Sequence, residues 1–243
     1  MKKLSMLVAA MFAVMPIFAQ SDDGEDIGPV VKSKSNAFYL GPKGGVTMTT
    51  MTQPEYGDLY DKSGIGFSAG LAFKARFGKA TENSEGGTGY WGIGLELKYK
   101  QNKVKTIGTD EKGKENAELS VDYFEAPVYF QIYPLAKKNS LNTLYVELGA
   151  SIAGTMSRSP KSLTVENDKA EYSRVVYKLD ADGSKLKGMD VRPMAGIGYT
   201  IPGTGLDINA RYYLGMSKMA KNFKIKMNTL EVSLAWMFNV GKF

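Results

Sequence analysis

Ile65-Gly66-Phe67-Ser68-Ala69-Gly70-Leu71-Ala72-Phe73-Lys74-Ala75-Arg76-Phe77 decides the fold. Ile65, Phe67, Ala69, Leu71, Phe73, Ala75 and Phe77 alternate with Gly66, Ser68, Gly70, Ala72, Lys74 and Arg76. Successive side chains of a β-strand point to opposite faces, so this period gives one greasy face and one small or charged face. The run exceeds the five or six residues usual in soluble sheets and matches a tilted strand of about ten residues crossing lipid.

The same pattern recurs downstream. Trp91, Ile93, Leu95, Leu97 and Tyr99 alternate with Gly92, Gly94, Glu96, Lys98 and Lys100. Leu144 to Ile152, Leu206 to Leu214 and Leu230 to Val240 repeat it, with Glu147, Asp207, Arg211 and Glu231 on the polar side. Phe38 to Thr50, Leu119 to Tyr133 and Asp190 to Thr200 are less regular strands. In the second of these, apolar residues lie at odd numbers through Leu119, Val121 and Tyr123, then at even numbers from Phe124 to Ile132. A bulge near Tyr123 is predicted to produce that switch. The reading is all-β: an antiparallel up-and-down transmembrane barrel of about eight strands over residues 37–243.

Connections alternate in length, as such barrels require. Long polar loops are predicted at Thr52 to Ser63, Asn102 to Glu118, Thr155 to Met189 and Ser217 to Lys226, with short turns at Leu135 to Asn142 and Ile201 to Gly205. Gly78 to Gly89 departs from the rule by being long where a short turn is due.

Lys2 and Lys3, then the apolar run from Leu4 to Phe18 and Ala19, have the order of a secretory signal peptide. Residues 1–19 are read as that leader, cleaved near Ala19, with an uncleaved anchor as the alternative. Residues 20–36 are polar and read as a flexible periplasmic lead-in. Losing the leader takes two lysines from the formal +6 and leaves +4. A mildly basic exterior would favour lipopolysaccharide phosphates, although plain solvation explains the same balance.

The chain has no Cys and no His, which excludes disulfides, Ser-His and Cys-His catalysis and His-metal chemistry. No phosphate loop, metal-ligand cluster or nucleotide fingerprint is present, and no aromatic-basic stripe suits nucleic acid. The expectation is therefore a non-enzyme without cofactor, metal or nucleic-acid partner.

Alternation alone does not say which face looks inward, since a soluble lipocalin-type barrel places its apolar face around a ligand. The many glycines of the polar face suit a narrow lumen, and Phe38, Tyr39, Tyr90, Trp91, Tyr99, Tyr133, Tyr199 and Trp236 cluster near strand ends, where membrane-interface girdles sit. With the apolar face outward, Lys74, Arg76, Glu96, Lys98, Glu125, Glu147, Asp207, Arg211 and Glu231 point into one lumen. They form a predicted charge network that plugs it, with a narrow ion-selective pore as the alternative. Glu96 with Glu125 or Glu147 could in principle do acid-base work, but lumenal ion pairing explains the same residues more simply.

Several short stretches resemble the PorT-like outer-membrane β-barrel domain of Bacteroidota, related in architecture to OmpX and OmpA barrels. They are Leu40-Gly41-Pro42-Lys43-Gly44-Gly45-Val46, Tyr123-Phe124-Glu125-Ala126-Pro127-Val128, Tyr145-Val146-Glu147-Leu148-Gly149, Ala195-Gly196-Ile197-Gly198-Tyr199 and Asp207-Ile208-Asn209-Ala210-Arg211-Tyr212. The resemblance implies outer-membrane residence and the barrel fold, and it assigns no activity. Phe243 would serve as the aromatic end read by the barrel-assembly machinery, provided Gly241 or Lys242 bends the strand; a frayed end is the alternative. The loop at residues 155–189, holding Tyr172 and Tyr177, is the candidate surface for partners outside the cell.

Overall fold

The computed structural model describes residues 36–52, 62–77, 89–105, 109–110, 118–136, 141–159, 162–167, 173–178, 189–215 and 226–242. Its strands in chain order are β1 (Ala37–Thr52), β2 (Lys62–Phe77), β3 (Trp91–Lys105), β4 (Thr109–Asp110), β5 (Glu118–Ile132) and β6 (Leu144–Ser159). They continue with β7 (Ser162–Asn167), β8 (Ser173–Lys178), β9 (Met189–Thr200), β10 (Leu206–Tyr213), β11 (Lys226–Trp236) and β12 (Phe238–Lys242). The antiparallel order β1-β2-β3-β5-β6-β9-β10-β11 closes on itself where β11 pairs β1 from Lys43↔Ala235 to Thr52↔Lys226. β12 carries β11 past Met237 and pairs the first residues of β1, which makes eight walls. Closure leaves no sheet edge among these walls, the condition for a sheet to stand in lipid.

The apolar face looks outward. Phe67, Leu71, Val128, Leu148, Val232 and Trp236 are exposed, whereas their neighbours Ser68, Ala72, Tyr129, Glu147, Glu231 and Ala235 are buried. Phe77, Trp91 and Phe130 stack in a row across β2, β3 and β5, with ring centroids 4.4 and 5.9 Å apart. They are the rim aromatics of one barrel end. At that end β9 and β10 are joined by 201–205, where Gly203 and Gly205 hold φ of 76° and 73°, a conformation that side chains with a Cβ rarely adopt.

Four sequence expectations are corrected. β5 keeps a single parity: Leu119, Val121 and Tyr123 are buried on the same inner side as Glu125, Tyr129 and Gln131. The bulge exists, but the extra residue is Met156 on β6, between the pairs Asp122↔Ser157 and Tyr123↔Thr155. What changes at Tyr123 is the surroundings of the wall. Beyond Tyr99 and Phe124 the outer side turns polar, with Lys103 bonded to Glu118 at 2.8 Å, while Val104, Leu119 and Val121 form an apolar interior. The wall here has polar residues outside and apolar residues inside, the arrangement usual for a strand that faces water.

Tyr39 and Tyr133 are not girdle residues. Tyr133 is buried inside, and Tyr39 packs against Ala72, Ala235 and Met237. The long loops also hold more strand than expected. β3 runs to Lys105, β6 runs to Ser159, and residues 155–189 contain the β7–β8 hairpin, which β4 extends to a three-stranded sheet. These short strands lack the long alternation that marks the walls, so they read as loop. Residues 1–35 and Phe243 lie outside the described residues. Next to that end, β12 bulges at Val240, between the pairs Tyr39↔Asn239 and Phe38↔Gly241.

Candidate functional site

Every wall of the barrel sends polar side chains into the lumen, because each strand's inner parity carries at least one ion-pairing or hydrogen-bonding group. All nine charged residues placed there by parity are buried: Lys74, Arg76, Glu96, Lys98, Glu125, Glu147, Asp207, Arg211 and Glu231. Lys43, Lys100 and Arg192 join them, as do Tyr123, Tyr129, Tyr133, Tyr145, Tyr213, Gln131 and Asn209.

At the end where β12 meets β1, the Arg76 guanidinium donates to the carbonyls of Gly89 at 2.9 Å and Asn142 at 2.8 Å, and it lies 3.8 Å from the Tyr133 ring centroid. Among the described residues it pairs with no carboxylate; backbone dipoles and an aromatic face take that part. Next along the lumen, Asp207 accepts from Lys74 at 2.7 Å, from Tyr145 at 2.8 Å and from Thr200 at 2.6 Å.

The centre is built on Arg211. Its guanidinium bonds Glu147 and, at 2.8 Å, Glu96, and it stacks 4.3 Å from the Tyr129 ring centroid. Glu96 also accepts from Lys43 at 2.8 Å and Tyr129 at 3.1 Å, while Glu147 accepts from Asn209 at 2.9 Å and Gln131 at 3.2 Å. Lys98 reaches Glu231 at 2.7 Å and Tyr213 at 2.9 Å, and Ser68 adds a bond to Glu231 at 2.9 Å. Toward the far end, Lys100 lies 3.5 Å from Glu125 and 3.4 Å from Glu231, above the Tyr213 ring. Arg192 completes the row, 3.1 Å from Glu125 and 2.8 Å from Asp190.

Glycines admit the tyrosines. Gly94 lies opposite Tyr129 and Gly198 opposite Tyr145 in the strand registers, and a Cβ built on either would fall 2.2 or 2.3 Å from the facing ring. Rings thus lie flat across the neighbouring strand and fill volume that charged side chains alone would leave open.

Chemically the arrangement is occupied. Glu96 and Glu147 are bridged by one guanidinium, and Glu125 is held by Lys100 and Arg192. The acid pairs considered from sequence are therefore engaged in ion pairing. Among the described residues no group of three His, Cys, Asp or Glu side chains is placed to hold a metal. Three cations escaped the sequence reading for identifiable reasons. Lys43 and Arg192 lie on the irregular strands, and Lys100 shares the parity of Lys98 but sits at the end of its run; strict parity would have found all three.

Fold and lumen together define a small transmembrane β-barrel whose interior is filled by its own side chains. The chain belongs to the outer membrane protein beta-barrel domain family, whose model matches residues 18–221. It is accordingly an outer-membrane protein. No curated protein is a detectable sequence relative. Among solved structures it is similar to Ail, the attachment invasion locus protein of Yersinia pestis, in complex with the heparin analogue sucrose octasulfate. Identity there is 15%, with 83% of this chain and 99% of that one covered at a TM-score of 0.43. Neisserial surface protein A (NspA) is 12% identical over 84% and 99% of the two chains at 0.43. OprG from Pseudomonas aeruginosa is 11% identical over 87% and 100% at 0.37.

Proposed function

We propose that the protein is a non-conducting, non-enzymatic barrel that carries a surface-interaction platform on the outer membrane. The observation that carries this reading is the ion-paired lumen, in which cations and carboxylates from all eight walls occupy the bore. An eight-stranded barrel has an interior just wide enough for its side chains, so a lumen filled in this way leaves function to the loops. The β4–β7–β8 sheet gives the region at residues 155–189 a shaped element to present to partners.

In this reading residues 1–19 are a cleaved export signal, and the chain is a PorT-like member from Bacteroidota. The barrel-assembly machinery inserts it with Phe243 as a terminal signal, and its outer leaflet neighbour is lipopolysaccharide. No cofactor or nucleic acid takes part.

Two measurements test the proposal. In planar bilayers the purified protein is expected to show no resolvable single-channel steps; a sizeable unitary conductance would replace the platform with a pore. Deleting residues 160–188 is expected to leave the folded, heat-modifiable barrel intact while abolishing adhesion of whole cells to their surface ligands. Unchanged surface binding by a correctly folded deletion would remove the loop from the proposal.

A further inference from the structure

The methionines of the described barrel wall fall into three settings. Met194, Met227 and Met237 are buried. Met48 is exposed on β1, and its register partners Ile65 and Leu230 on the two neighbouring strands are exposed as well, so it belongs to the apolar outer face. Met156 and Met189 are 64% and 67% exposed and stand at a different place.

Met156 is the extra residue of the β6 bulge, between Thr155, whose partner on β5 is Tyr123, and Ser157, whose partner is Asp122. A bulge re-aims a side chain. Ser157 and Ser120 both donate to Asp122, so the wall beside Met156 is polar on its outer side. Met189 is the first residue of β9, and its partner on β6 is Gly154, which has no side chain to cover it. Between the two methionines the chain runs through the excursion that carries β7 and β8. The two thioethers therefore mark where that excursion leaves the wall and where it rejoins it.

Inside a protein a thioether is an adaptable filler of irregular space. At two-thirds exposure it packs against little, and its sulfur lone pairs are open to an electrophilic oxygen. We infer that Met156 and Met189 form a reversible oxidation site, at which the protein takes up oxygen from peroxides at its outer surface. In the step a sulfur lone pair attacks one peroxide oxygen, the O–O bond breaks and an S–O bond forms. Sulfur gives up two electrons to the peroxide; the displaced hydroxide takes the proton of the new S–OH group and leaves as water. Thiol-dependent sulfoxide reductases, one for each sulfoxide epimer, return the thioether. The change makes the two feet of the excursion polar and leaves the wall as it is, whatever the excursion binds. The same oxidation at Met194 would break its packing with Tyr129 and Tyr213.

The test exposes the full chain in phospholipid nanodiscs to peroxymonosulfate, an anion that does not enter lipid, and maps sulfoxides by peptide mass spectrometry. Here sulfate is the leaving group. Met156 and Met189 are expected to oxidise at least about tenfold faster than Met48, which lipid shields, and than Met194, Met227 and Met237, which are reached only when the barrel opens. A smaller margin at either residue would mean that its thioether is covered by lipid or by the chain, and would overturn the site. With only these two oxidised, the protein is expected to keep its heat-modifiable mobility and to be restored by sulfoxide reductase. Loss of the folded band at that stage would show that the two thioethers hold the barrel together, and failure of the reductase would show that the change is not reversible; either result overturns the inference.

Discussion

Arg211→Met is expected to lower the unfolding free energy of the barrel by about 3–5 kcal/mol, the cost of leaving buried charge without its partner. The side chain is fully buried between Glu147 and Glu96, and neither carboxylate has access to bulk water. Glu96 keeps Lys43 and Lys98 after the substitution, but Glu147 keeps only the neutral donors Asn209 and Gln131. Adding Glu147→Gln to Arg211→Met should therefore restore part of the loss, and Arg211→Lys should fall between, since an ammonium keeps the charge but lacks the planar set of donors and the reach with which the guanidinium meets Glu147 and Glu96 together. Urea titration in lipid vesicles, followed by the mobility of unboiled protein on a denaturing gel, measures each. Equal stability of Arg211→Met and the parent would mean that the lumen does not depend on this centre.

Gly198→Leu is expected to prevent correct folding or to cost at least about 3 kcal/mol, through overpacking combined with broken hydrogen bonds. The first added carbon already meets the Tyr145 ring and hydroxyl at 2.3 Å. That ring is held by Asp207 at 2.8 Å and Lys74 at 3.1 Å, so it has no free space to swing into. Gly44→Ala and Gly154→Ala supply the contrast, because the nearest atom to either new Cβ is 3.8 Å away. Both should stay within about 0.5 kcal/mol of the parent. The same gel-based titration separates them, and Gly198→Leu folding with parental stability would refute the close ring packing. Restoring room with Tyr145→Ala beside Gly198→Ala tests the fit from the other side.

The walls of the barrel are legible because side-chain direction along a strand is a local property. In Ile65 to Phe77 the parity of each residue relative to its neighbour is set by the pleat, and one greasy face of that length has few homes besides lipid. Lys74 and Arg76 inherit their direction from the same parity. In β5 the apolar residues change parity at Tyr123, and composition alone invites a slipped strand. The backbone does not slip; beyond Phe124 the inner side of the wall turns apolar and its outer side polar, and no local signal states where that level lies. The β7–β8 hairpin is similarly silent, being too short for its alternation to stand out.

By itself, then, the sequence determined a closed antiparallel barrel, its eight walls and the two faces of the regular ones, since these follow from period two and from the need to pair every backbone group in lipid. Only the tertiary structure decided who meets whom across the bore. Arg211 reaches Glu96 and Glu147 from β10, and Arg192 reaches Glu125 from β9, because strand tilt and register bring residues remote in the chain to one level. Register is a cooperative outcome of closing the whole sheet, with the Met156 and Val240 bulges absorbing the mismatch, and it has no counterpart in any single stretch of residues.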